Sequence, residues 1–149
     1  MQFNIFTFTK KVEFQDNIAD YQKRLQIKTT ITKLKPSNRE DGLMAKQEEA
    51  GVFLSKRNIK NKLIILDESG DLYDSQAFAR WLNKTIINDG NVDFLIGGAF
   101  GIDDSIKKVA NHKISLSKLT FPHKFIPMLL CEQLYRAFSI SNNHPYHKI

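Results

Sequence analysis

Leu63-Ile64-Ile65-Leu66 is an apolar run with no polar break, and it constrains the fold more than any other stretch of the chain. A strand with one face in water alternates apolar and polar positions, whereas a short unbroken run needs cover on both faces, the condition of a strand inside a parallel sheet. The run ends at Asp67, where a loop is predicted to start. Three further stretches read as strands: "QFNIFTFT", with Phe3, Ile5, Phe6 and Phe8; the β-branched "KTTITKLK", ended by Pro36; and "VDFLIGG". "KISLSKL" is the fifth.

Helical spacing fills the intervals. Phe14, Ile18, Tyr21 and Leu25 recur at helical intervals, and good helix formers run from Leu43 to Ser55, weakened late by Gly51. "DSQAFARWLNKTII" is predicted as a helix capped by Asp74 or Ser75, with Phe78, Trp81, Leu82 and Ile86 inward. A short helix starts near Asp103 to Ser105, and a last one runs from about Pro122 to Ser139. Strands alternating with helices imply an α/β fold with a mainly parallel sheet flanked by helices. No repeat or low-complexity segment breaks the series, so residues 1–149 read as a single domain.

The net charge of +6 favours a polyanionic partner, because lysine and arginine beside phosphates release counterions. No run approaches the roughly 18 apolar residues of a membrane span. Met1 leads directly into "QFNIFTFT", without a basic region followed by an apolar block, so the expected location is cytoplasmic. Cys131, the only cysteine, sits in the apolar "MLLCEQL" and reads as a small core hydrophobe with no chemistry of its own.

In open α/β sheets ligands bind beyond the carboxyl ends of strands, so the loops after Leu66, Ile96 and Leu116 form one candidate site. Gly97, Gly98 and Gly70 would let backbone approach a ligand, or simply make tight turns. Which ligand is narrowed by exclusion. "FLIGGAFGID" has G-G-x-x-G in place of G-x-G-x-x-G, and Ser117 to Thr120 stand where a dinucleotide site offers an acid to the ribose. A nicotinamide oxidoreductase thus loses both supports, and no phosphate-binding G-x-x-x-x-G-K-[ST] occurs.

The final helix is apolar on more than one face, from Phe125 through Leu130 and Leu134 to Ile140, which makes a second subunit a natural cover. The alternative is a central core helix in a monomer. Beyond it "SNNHPYHKI" gathers His144, Tyr146 and His147 past Arg136, groups able to stack a base, bind phosphate and accept a proton, or to form a frayed basic tail. His123, His144 and His147 lack any paired metal-ligand spacing, so no metal is expected.

"LIILDESG", "FLIGGAFG", "SLSKLTFPH" and above all "EQLYRAFSISNNHPYHK", in that order, resemble the ribosomal RNA large subunit methyltransferase H family of the SPOUT class. The resemblance is close from Leu63 to the C-terminus and loose in the first third. There, Thr9 and Lys10 replace the family's glycine and "KPSNREDG" replaces a basic glycine-rich loop; within the closer region, "AF" stands between Gly98 and Gly101 in place of Pro-Glu.

The resemblance implies a homodimeric α/β methyltransferase with a C-terminal deep trefoil knot. It implies a cytoplasmic enzyme that transfers a methyl group from S-adenosylmethionine to N3 of a pseudouridine in helix 69 of 23S rRNA, on the assembled ribosome. Carried over by position, the cofactor residues are Leu66, Gly98 and the stretch Leu116, Ser117, Lys118, Leu119, Thr120, Phe121 and Pro122. Arg136, His144, Tyr146 and His147 would face the nucleotide, completing a site begun by the other subunit. A histidine titrates in the useful range, so His144 or His147 is the candidate proton acceptor, with Glu132 as a third. Scattered lysines such as Lys10, Lys11, Lys23 and Lys33 are candidate RNA contacts. The competing reading is a catalytically inactive, dimeric RNA- or ribosome-binding module.

Overall fold

The structure, a computed structural model, describes residues 1–86 and 90–148. Five strands form one sheet: β1 (Gln2–Phe8), β2 (Lys28–Leu34), β3 (Lys62–Leu72), β4 (Val92–Ile96) and β5 (His112–Ser115). Their order is β2-β1-β4-β3-β5, and every adjacent pair is parallel. The helices are α1 (Gln15–Arg24), α2 (Gly42–Lys56), α3 (Ser75–Ile86), α4 (Asp104–Val109) and α5 (Ile126–Ser141), the last preceded by a 3-10 turn over His123–Phe125. Ile87, the end of the helix expected from "DSQAFARWLNKTII", lies outside the described residues.

The two-residue period of a strand divides the core. Phe3, Ile5, Ile64 and Phe94 face one side with α1, α3 and α5, while Phe6, Phe8, Leu63, Ile65 and Leu95 face the other with α2 and α4. Leu63, Ile64 and Ile65 are fully enclosed, as their unbroken run requires. Each such side chain contributes roughly 1.5–3 kcal/mol. Asp93 pins the amino ends of the central strands: its Oδ1 accepts from Asn4 at 2.8 Å and Asn61 at 2.9 Å, with Arg57 3.8 Å from Oδ2.

Three boundaries differ from the sequence reading. β3 does not stop at Asp67; it bulges through residues 67–70 and rejoins β5, pairing Leu66 and later Asp71 with the same Ile114. Gly70 permits this, since a Cβ there would sit 2.4 Å from the Ile114 carbonyl carbon. β5 ends at Ser115, before the expected "LSKL", because side chains take over the backbone bonding: Ser115 Oγ donates to Ser117 O at 2.9 Å and Leu119 N donates to Ser117 Oγ at 2.9 Å. α5 starts after the 3-10 turn, with Pro127 in its first turn where a missing N–H costs least.

α2 continues to Lys56 across Gly51, and Asp74, not Ser75, caps α3 by accepting from Ala77 N at 2.7 Å. Trp81 is only half-buried, stacked on Tyr73 and Phe78, whereas Phe78, Leu82 and Ile86 are buried. α5 packs against both α1 and α3 and buries Leu130, Cys131 and Leu134 completely. Two helices as well as the sheet therefore cover it within one chain. Met128, Leu129, Phe138 and Ile140 remain only half-buried along it.

Candidate active-site cleft and C-terminal cluster

The carboxyl ends of β3, β4 and β5 open onto a cleft of about 800 Å³, a size suited to one small ligand. Leu66, Gly98, Leu116 and Ser117 line it. Leu119, Thr120 and Phe121 continue the wall, while Lys118 and Pro122 of the same segment are not part of it. The segment reaches the cleft because the Ser117 turn lifts it off the sheet. Leu119, Phe121 and Phe100 leave apolar surface exposed at the rim.

The glycine stretch forms a closed turn in which Gly101 N donates to Gly98 O at 3.1 Å. Gly101 has φ +88°, where a side chain would be strained, and a Cβ on Gly97 would come within 2.8 Å of Ile102. The turn is thus built from glycine for geometric reasons, with Gly98 left facing the cleft. At the neighbouring end of β3, Asp67 accepts from Ser69 N at 2.9 Å and Ser69 Oγ at 2.5 Å, and pairs with Lys107 at 3.0 Å. Burial pushes the Asp67 carboxyl up, but the Ser69 and Lys107 contacts outweigh it and hold it at about 2. One wall of the cleft therefore carries an ionised carboxylate held in an ion pair with Lys107, which also lines the cleft.

The tail residues form a separate cluster against α5 and α1, and none of them lines the cleft of the same chain. Tyr146 donates its hydroxyl to Glu132 Oε1 at 3.0 Å and lies 3.4 Å from the Tyr21 hydroxyl. Arg136 donates to the same Glu132 oxygen and stands over the Tyr146 ring, 5.0 Å from its centroid. Gln133 donates to Glu132 Oε2 at 2.6 Å. Burial, then the Tyr21 and Glu132 hydrogen bonds, raise the Tyr146 pKa. Its hydroxyl is a donor here, not a base.

The histidines are similarly engaged. Arg136 Nη1 lies 3.0 Å from His147 Nδ1, and because a guanidinium only donates, that ring nitrogen must accept. His144 Nδ1 accepts from Tyr146 N at 3.3 Å. For either imidazole to take a proton at Nδ1, its present contact has to open. Among the described residues, no group of three or more His, Cys, Asp or Glu side chains could hold a metal ion.

Residues 1–147 match the family described as "Predicted SPOUT methyltransferase". The chain belongs to the SPOUT methyltransferase family. Among its relatives, the ribosomal RNA large subunit methyltransferase H of an Exiguobacterium species is 35% identical, the match spanning 99% of this chain and 100% of that protein. The protein of the same name from Campylobacter jejuni is 36% identical with the same coverage. That from Francisella tularensis subsp. novicida is 44% identical over 68% of this chain and 66% of its own length. The match thus spans about two thirds of the Francisella protein's length. A solved structure, the ribosomal RNA small subunit methyltransferase E of Neisseria gonorrhoeae bound to S-adenosyl methionine, aligns with TM-score 0.47 at 12% identity. That alignment covers 89% of this chain and 64% of the other.

Sequence reasoning within the methyltransferase pattern missed two charged groups of the cleft region. Asp67 was read only as the end of a strand; its role emerges from Ser69 two residues on and Lys107 on α4. Glu49 has no place in the sequence reading, although it falls on the buried stripe Ala45, Glu49, Phe53 of α2, a four-residue spacing that marks it as inward-facing.

Proposed function

We propose that the chain is a large-subunit ribosomal RNA methyltransferase, a single SPOUT domain over residues 1–149 that takes its methyl group from S-adenosylmethionine bound in the cleft. The observation that carries this reading is the convergence of three loops on one cleft, in a chain whose full-length relatives are named as such enzymes. The donor set fits that cofactor. Leu66, Leu116 and Phe121 offer apolar surface to an adenine, and the Gly98 backbone can be approached closely.

When bound, the cofactor supplies an activated methyl group: the sulfonium carbon–sulfur bond breaks, a nitrogen–carbon bond forms, and the imide proton leaves to a base or water. The protein mainly has to align the two partners. The finer reading is N3 of a pseudouridine in helix 69 of 23S rRNA, modified on the assembled ribosome in the cytoplasm. A C-terminal trefoil knot and a homodimer belong to that reading. The dimer would bring the Arg136, His144, Tyr146 and His147 cluster of one subunit to the cleft of the other, since within one chain the two are separate. The half-buried apolar side chains along α5 support such an arrangement.

The decisive experiment offers 70S ribosomes, free subunits and naked rRNA from a strain lacking the modification, with radiolabelled S-adenosylmethionine. Methyl transfer to 70S ribosomes at one 23S pseudouridine is the expected result. Cofactor binding without transfer to any of the three would favour the inactive binding module instead. Removal of residues 143–149 is expected to spare cofactor binding and abolish transfer. Normal transfer by the truncated protein would show that the tail does not face the nucleotide.

A further inference from the structure

Glu49 lies on the inner face of α2 and is only 6% exposed. Its Oε1 accepts from Ser37 N at 3.1 Å, tying α2 to the segment that follows β2. Its carboxylate also lies directly against Gly98: a Cβ at that position would stand 2.5 Å from Oε2 and 2.6 Å from Oε1. On the same turn, His123 Nε2 lies 2.8 Å from Gly97 O, and since a carbonyl can only accept, that nitrogen carries the proton. The Gly97–Gly98 turn is therefore gripped by a carboxylate from α2 and an imidazole from the segment leading into α5.

Burial raises the Glu49 carboxyl, the Ser37 bond and the charge of His123 lower it, and neighbouring Glu48 raises it again. An enclosed carboxylate is costly unless its surroundings compensate it. Of the two groups that compensate it, Ser37 N comes from the segment after β2 and His123 from the cleft lining, so the acid is tied on one side to the shape of the site. His123 lines the cleft while Glu49 stands behind Gly98 and does not.

We propose that Glu49 and His123 are positioning residues that clamp the Gly97–Gly98 turn and thereby set how closely its backbone approaches S-adenosylmethionine. This assignment rests on the reading of the cleft as the cofactor site. Neither side chain is asked to touch the reacting atoms. Loss of the Glu49 carboxylate frees Ser37 N and opens a void behind Gly98, and loss of the His123 ring frees Gly97 O.

The test uses the full-length protein. Calorimetric titration of S-adenosylmethionine should show Glu49→Ala and His123→Ala weakened about tenfold or more, with Glu49→Gln, which keeps the acceptor for Ser37, recovering most of the affinity. In transfer assays the cofactor KM should rise while the ribosome KM holds. A double-mutant cycle supplies the sharper readout. Gly98→Ala should be severely impaired beside Glu49 and partly relieved beside Glu49→Ala, where the colliding oxygens are gone.

Hydrogen exchange on the free protein gives a measurement independent of the cofactor: amides of residues 98–101 should exchange faster in Glu49→Ala and His123→Ala. Unchanged exchange in both variants, or an equal Gly98→Ala penalty in both backgrounds, would overturn the clamp. Should the parent protein fail to bind S-adenosylmethionine, the functional reading falls, while exchange still decides whether the turn is clamped. If Glu49→Ala does not fold, affinity and exchange in His123→Ala decide the same question.

Discussion

The same substitution, glycine to alanine, should act in opposite directions at two positions of this chain. At Gly70 the new Cβ would stand 2.4 Å from the carbonyl carbon of Ile114 and 2.7 Å from its Cα and N. All three are main-chain atoms, so no rotamer change can make room, and β3 and β5 must separate where Asp71 pairs with Ile114. Overpacking of this kind costs about 3 kcal/mol. At Gly51, inside α2, nothing lies within 4 Å of the added atom. There alanine gains about 1 kcal/mol through helix propensity and a less free unfolded chain. The two variants should thus differ by about 4 kcal/mol, or roughly 8–16 °C in melting temperature for a chain of this size. Urea unfolding by circular dichroism, at one fixed protein concentration, reads the difference directly. Because Leu66 and Ser115 flank the strained contact and line the cleft, Gly70→Ala should also weaken S-adenosylmethionine binding. If Gly70→Ala were as stable as Gly51→Ala, the close passage of β3 over β5 would be refuted.

The Asp67 carboxyl, held at about 2 in place of 3.8, contributes up to about 2 kcal/mol at neutral pH. Its folded pKa is depressed, so that contribution is complete above about pH 4 and is lost as pH falls towards 2; Asp67→Asn should lose stability at pH 7 and match the parent near pH 2. Equal stability losses at both pH values would contradict this. Cys131 is enclosed and its thiol is pushed up to about 12 by burial, so a maleimide at pH 8 should label it only after denaturation, which mass spectrometry will detect. Tyr146→Phe removes the hydroxyl shared with Glu132 and Tyr21 while keeping the ring against Tyr135. It should cost about 1 kcal/mol in urea unfolding and reduce methyl transfer by more than that loss of stability explains. An equal effect on both would reduce Tyr146 to a packing residue.

What could be read from the chain, and what could not, follows the range of the interactions. The unbroken Leu63–Leu66 run predicts a strand covered on both faces because side-chain hydrophobicity is a local property, and the parallel sheet with helices on both sides follows from repeating that pattern. The continuation of β3 beyond Asp67 has no local signal, since "DESG" is composed as a turn. Only the backbone of Ile114, distant in sequence, makes Gly70 a strand residue. β5 failed in the opposite way: "KISLSKL" alternates correctly, but Ser117 captured the backbone before the ladder could extend.

The cleft itself was legible because strand ends and glycines mark it, whereas the bonding of two acids beside it, Asp67 and Glu49, was not. Asp67 acquires its character from Lys107, and Glu49 from Ser37, Gly98 and His123, each contributed by another segment. The C-terminal cluster lies between these cases. Its residue types announced chemistry, yet the arrangement shows each basic nitrogen Nδ1 of His144 and His147 already accepting a hydrogen bond. A proton acceptor at either Nδ1 therefore requires its contact, with Arg136 for His147 or with Tyr146 N for His144, to open first.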